Sequence, residues 1–207
     1  MFITLEGLDG AGTTSQARLL CQRLEALGRT VTPTAEPSTG PIGTLIRQAL
    51  RGRMVRRNGE RVLPDALALL FAADRIDHLS DIVAPALERG DVVVSDRFVH
   101  SSLAYQGAEC DLEWVAEINA KARAADLTLF LDVPVDVCLQ RIGARGEDAE
   151  LFEHREALEA VAARYERAFA LRAEPVVRID GTAPIDEVEA AVWAAVSARL
   201  DGAAGAG

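Results

Sequence analysis

The sequence predicts a single α/β domain, a parallel sheet of about five strands with helices on both faces. Short β-branched apolar runs alternate with longer amphipathic segments along the chain. Two of those runs, Asp91–Ser95 and Leu127–Leu131, are almost unbroken in apolarity, as expected of strands buried on both faces of a parallel sheet. The chain's 207 residues, 49% of them apolar, suffice for one sizeable core.

Phe2–Leu5 reads as the first strand and Gly12–Leu27 as the first helix. Thr30–Thr32 supplies a second strand before the turn-forming segment Glu36-Pro37-Ser38-Thr39-Gly40-Pro41, and Ile42–Leu50 is a short helix. Arg51, Arg53, Arg56, Arg57 and Arg61 surround Asn58-Gly59 in a basic loop, a pattern read as solvated. A long helical pattern then runs from Pro64, which suits a first helical position, to Arg89, and Gly90 ends it. After the strand at Asp91–Ser95 come helices at Leu112–Ala125, Val135–Ile142 and His154–Leu171. Pro175–Ile179 is the last strand and Pro184–Leu200 the last helix. The domain is thus expected over 1–200, and the Gly/Ala-rich Asp201–Gly207 as a disordered tail.

Charge narrows the partners. Thirty-two acidic against 22 basic side chains give a net charge of −10, which argues against a broad nucleic-acid-binding face. The N-terminal residues show neither a basic signal-peptide start nor an apolar span of about 18 residues, so a cytoplasmic protein with no membrane partner is expected. Cys21, Cys110 and Cys138 are scattered and read as small buried hydrophobes. His78, His100 and His154 lack ligand spacing and read as peripheral.

In open parallel sheets ligands bind beyond the carboxyl ends of the strands. Directly after the first strand stands Gly7-Leu8-Asp9-Gly10-Ala11-Gly12-Thr13-Thr14, followed by Ser15. It fits the phosphate-binding pattern G-x-x-x-x-G-K-[ST] except at Thr13, where lysine belongs. Glycines let backbone N–H groups curl round phosphate oxygens, the following helix N-terminus adds partial positive charge, and Thr14 offers a hydroxyl to Mg²⁺. A dinucleotide loop fails because Ser15 takes the place of its third glycine. A unit charge about 4 Å from a phosphate at an effective dielectric of about 20 is worth about 4 kcal/mol, so the missing lysine calls for a compensating cation. The chain's only lysine is Lys121, yet composition cannot be the whole explanation, since arginine would have kept the charge.

Four segments together carry a specific resemblance: Glu6–Thr14; Leu70-Phe71-Ala72-Ala73-Asp74-Arg75; Asp96-Arg97-Phe98 with Ser101 and Ala104-Tyr105-Gln106-Gly107; and Leu131–Pro134 through Leu139-Gln140-Arg141 to Arg145-Gly146. The chain resembles the thymidylate kinases from Phe2 to about Tyr165. The resemblance implies the three-layer P-loop NTPase fold and a short lid over about 143–153. It also implies transfer of a phosphoryl group from Mg-ATP to dTMP, giving dTDP for dTTP synthesis, and a homodimer with Pro64–Arg89 as a candidate surface.

It further implies site roles. Gly7 through Ser15 bind ATP, with Thr14 and Asp96 holding the metal. Arg97 clamps the acceptor phosphate, and Asp9 orients or deprotonates that phosphate and bonds a clamp arginine. Phe71 stacks on thymine while Arg75, four residues later on the same helical face, reaches the phosphate. Arg47 is the second clamp, and Glu36 reaches Mg²⁺ or the sugar. Ser101 or Gln106 bonds the base and Tyr105 packs on the sugar. Ala35 stands where many members carry arginine. The lid segment is acidic, with Glu147, Asp148, Glu150 and Glu153, so Arg141 or Arg145 is expected to take over the catalytic contact that Thr13 cannot make. Two alternatives stay open: another deoxynucleotide or modified nucleotide as acceptor, and a nucleotide-binding regulatory protein that has lost turnover with its lysine.

Overall fold

The computed structural model describes residues 1–143 and 151–204. Its strands are β1 (Phe2–Gly7), β2 (Val31–Ala35), β3 (Val92–Asp96), β4 (Leu127–Asp132) and β5 (Val176–Asp180). They form one parallel sheet in the order β2-β3-β1-β4-β5. β1 is buried along its whole length. Its odd residues Ile3 and Leu5 join Leu20 and Leu24 of α1 (Thr13–Ala26) and Val188 and Val192 of α9 (Ile185–Ala204) in one core. On the other face Phe2 packs with Val93, Val83, Ala86, Phe98 and Val99 in a second. The alternation of strand side chains therefore divides the core into the two helical layers.

The remaining helices are α2 (Pro41–Leu50), α3 (Pro64–His78), α4 (Ala84–Glu88), α5 (Val99–Glu109), α6 (Leu112–Ile118), α7 (Val135–Gly143) and α8 (Leu151–Ala170). The long segment expected from Pro64 is one path with a π-helical stretch, Leu79–Val83, between α3 and α4. Three expectations change. α5 is a helix where none was expected. α6 ends at Ile118 rather than Ala125, because the Asn119 side chain bonds back to the Val115 carbonyl and accepts from Arg75. α9 continues to Ala204, so the first residues of the expected tail are helical. Most of the expected lid, 144–150 with Arg145, lies outside the described residues.

Two histidines read as peripheral are buried. His78 bonds Thr34 Oγ1 at 2.6 Å and Glu36 at 3.1 Å. His100 on α5 lies 3.5 Å from Glu174, and burial pushes its ring down to about 3, so at neutral pH the contact is not an ion pair. The basic loop folds back on itself through a bridge between Val55 and Arg61 and is exposed, as its composition suggests.

Candidate active site

β1 and β3 are neighbours with Leu5 opposite Asp96, so the loop leaving β1 and the residues leaving β3 open onto one crevice. In the first loop Gly10 has φ 87°, and a Cβ there would lie 2.6 Å from the Cys138 carbonyl oxygen on α7. Gly12, at φ 99°, leads into α1 with no side-chain cap. Only glycine takes both positions without strain, and the uncapped helix start leaves N–H groups for an anion. Thr13, buried as the first residue of α1, puts its methyl 3.3 Å from where a Cβ on Gly7 would stand. The residue in the lysine position thus packs into the corner of the loop.

Thr14 Oγ1 donates to Asp96 Oδ2 at 2.5 Å, and Asp96 Oδ1 is buried without a partner among the described residues. This places a hydroxyl and a carboxylate at the mouth of the crevice, a hard-oxygen pair of the kind that suits Mg²⁺. Beside them Arg97 has φ 70°, the one positive φ outside glycine among the described residues. Its Nη1 donates to Gly7 O at 2.9 Å and Ser101 Oγ at 3.0 Å, and its Nη2 donates to Asp9 Oδ1 at 2.6 Å. Its guanidinium stands 5.0 Å from the centre of the Tyr105 ring. The Tyr105 hydroxyl accepts from the Asp9 N–H at 2.9 Å, tying the loop to α5, and burial raises its pKa so that it stays protonated.

Next to this cluster is a cavity of about 350 Å³ lined by Phe71, Arg75, Arg97, Ser101, Tyr105 and Gln106, with Asp9, Asp96 and Glu36 at its wall. A larger cleft of about 770 Å³ runs over Gly10 and Gly12–Ser15 and shares Arg97, Tyr105 and Gln106 with it. Most of the residues assigned from sequence to the acceptor therefore converge.

Three are placed otherwise. Arg75, 1% exposed, donates through Nη2 to Glu36 at 2.6 Å and Ser102 at 2.9 Å and through Nη1 to Asn119. Both terminal nitrogens are committed to the protein rather than free for a phosphate, and Nε is buried without a partner among the described residues. Glu36, held by Arg75 and His78, is correspondingly unavailable to a metal. Arg47 donates to the carbonyls of Pro37 and Ser38 at 3.0 and 2.6 Å, bracing the loop after β2, and is not among the described residues that line the 350 Å³ cavity.

Arg141 donates to Ala11 O at 3.3 Å and Gly181 O at 2.9 Å. It lines a separate cavity of about 240 Å³ that includes Gly10, Gly12 and Ser15 but neither Thr13 nor Thr14. Sequence reasoning missed Glu6, Ser102, Asn119 and Tyr165, the buried residues that hold these groups from behind. They are drawn from four elements far apart in the chain, and no local pattern marks them.

The thymidylate kinase family model matches residues 5–192. A probable thymidylate kinase of Pyrococcus abyssi is 39% identical over 97% of this chain and 98% of its own length. A thymidylate kinase of Thermomicrobium roseum is 41% identical over 95% and 94%, and one of Synechococcus is 39% identical over 97% and 96%. With the sheet, the loop and the Asp96-Arg97 corner in these positions, the chain belongs to the thymidylate kinase family.

Proposed function

We propose that this chain transfers the γ-phosphoryl group of ATP to the 5′-phosphate of dTMP, giving dTDP and ADP on the way to dTTP. The observation that carries the reading is the shared crevice of the Thr14–Asp96 pair and Arg97, with the acceptor cavity beside it. Phosphoryl transfer is mainly positioning and charge stabilisation, and these groups are of the kinds it needs. Thr14 and Asp96 would hold Mg²⁺, which when bound with ATP neutralises charge on the β- and γ-phosphates. The N–H groups of Gly10 and of Gly12 to Thr14 hold the donor phosphates, while the Ala11 N–H donates to Leu8 O at 2.9 Å. Arg97, held by Gly7, Ser101 and Asp9, offers its Nε–H and remaining Nη2 hydrogen to oxygens of the acceptor phosphate. Phe71 stacks on thymine and Tyr105 packs on the sugar. Gln106 Oε1 and Arg75 Nε, both buried without a partner among the described residues, serve the base: the first accepts from its N–H and the second donates to a carbonyl.

The cavity at Arg141 has apolar walls in Ala183, Ile185 and Val188, which with a planar guanidinium suit a purine ring. Arg141 therefore serves the donor base in this reading, and Arg145 the β–γ contact that Thr13 does not make. Among the described residues no helix is long and apolar enough to cross a membrane. Leu69 and Ile76 are each 50% exposed on one face of α3, with Ala73 exposed between them, which supports a homodimer through that helix.

A coupled ADP-release assay with ATP, Mg²⁺ and dTMP, run beside UMP, dUMP and dCMP, tests the function. Selective turnover of dTMP is expected. The packed-in Thr13 favours one second reading, a nucleotide-binding protein without turnover. Inactivity of the wild type, with activity restored by Thr13→Lys, would establish that reading instead.

A further inference from the structure

Glu6 is the only charged residue of β1, is 0% exposed, and lines none of the three cavities. A carboxyl group buried this deeply is costly unless its oxygens are bonded. Oε1 accepts from the Phe98 N–H at 2.9 Å. Oε2 accepts from Ser101 Oγ at 2.5 Å and lies 3.1 Å from the Tyr165 hydroxyl, whose single proton it shares with the Gly7 carbonyl at 3.1 Å. Both arms lead to Arg97. Phe98 N–H belongs to the peptide that follows Arg97, so the first bond fixes the plane that the left-handed φ of 70° produces. That conformation is unfavourable for a non-glycine residue and needs such a hold. Because Ser101 gives its one proton to Glu6, its oxygen is left to accept from Arg97 Nη1 at 3.0 Å.

We propose that Glu6 is a positioning residue for phosphoryl transfer: through Phe98 N–H and Ser101 its carboxylate holds the Arg97 backbone and aims the guanidinium at the acceptor phosphate. The proposal rests on the kinase reading above. Protonated Glu6 cannot serve all three donors. If Oε2 takes the proton, Ser101 must accept from it and turn its own hydrogen to the Tyr165 hydroxyl 3.1 Å away, and the charge-assisted hold of the carboxylate on Ser101 is lost. Burial pushes the carboxyl up to about 7, against the hydrogen bond from Ser101 and the nearby Arg97 charge, which favour ionisation. The other titratable groups facing this network are Asp9 from the loop, Tyr105 from α5 and Tyr165 from α8, and both tyrosines are held protonated.

The test is Glu6→Gln, in the whole protein, with kcat and KM for dTMP and for ATP measured across about pH 6 to 8.5. At the alkaline end the variant should lose about tenfold or more in kcat/KM for dTMP with KM for ATP nearly unchanged, and the gap should close toward pH 6 as wild-type Glu6 protonates. Identical profiles in the two proteins would overturn the proposal. A second readout needs no turnover. The Phe98 amide NMR signal should titrate near pH 7 in the wild type and stay flat in Glu6→Gln. If Glu6→Gln does not fold, Ser101→Ala, which removes the hydroxyl that donates to Oε2, should move that midpoint upward. A Phe98 signal that is flat in the wild type, or a midpoint unmoved in Ser101→Ala, also overturns the proposal. A wild type that binds ATP but turns over no dTMP would count against the kinase reading, and the amide titration would then still decide whether Glu6 holds Arg97.

Discussion

On the acceptor side of the crevice Arg75 and Arg97 each donate to several protein groups, whereas on the donor side the loop presents backbone N–H groups, the start of α1 and hydroxyls, with a threonine in the cation's place. The two halves therefore carry different risks. Acceptor-side charges are held in place before any ligand arrives, which lowers the reorganisation needed at the moment of transfer. Their removal exposes buried partners. The donor side depends on charge brought from elsewhere, so a gain there is possible that the acceptor side does not allow.

Arg75→Met gives the largest expected change. It leaves Glu36 buried with only the His78 ring as partner, a loss of about 3 kcal/mol. For a domain of this size that is about 10 °C in Tm, read by calorimetry. A loss of only a degree or two would show that the acceptor side is not built around this ion pair. Arg97→Ala comes next, with about a hundred- to a thousandfold loss in kcat/KM for dTMP. Its Tm should change much less than that of Arg75→Met, since Asp9 is largely exposed and can return to water. Thr13→Lys should act in the opposite direction, raising kcat/KM for ATP about tenfold or more if the donor side lacks charge. No gain would mean that another cation already fills the role, and the asymmetry between the halves would disappear. The smallest effect concerns α5. His100, held down at about 3 when folded and near 6.5 when unfolded, binds fewer protons in the folded state. Stability is therefore lost as pH falls below about 6.5, by about 1 kcal/mol at pH 6. Thermal melts of His100→Leu, which has no such group, should fall less over that range than those of the wild type.

The unequal legibility of the sequence follows the same division. The phosphate loop and the Asp96-Arg97 corner are visible because one local constraint fixes each: glycines at positive φ in the first, polar residues ending an apolar strand in the second. α5 is not visible. Val99, Ser101, Ser102 and Gly107 weaken its helix signal, and it has no side-chain cap. It forms because tertiary packing demands it: a Cβ at Gly107 would lie 2.7 Å from Leu112 Cδ1, so the glycine that lowers propensity also permits the turn into α6. The partners of Arg75 are hidden for another reason. Glu36, Ser102 and Asn119 converge from β2's loop, α5 and the end of α6, and no periodicity records such a meeting. Arg75 was therefore legible as an arginine on the right helical face, but its commitment to the protein was not.

The pairing of Leu5 with Asp96 in the parallel ladder has a consequence for how this site can change over time. Donor and acceptor groups are mounted on the ends of two strands locked side by side, so the gap between the reacting phosphates is measured by the sheet and not by the loops. A one-residue slip would shift one mount against the other by about 3.3 Å, more than in-line transfer can absorb. Side chains such as Thr13 can be exchanged without disturbing that ruler. The sheet conserves distance while the loops are free to renegotiate charge.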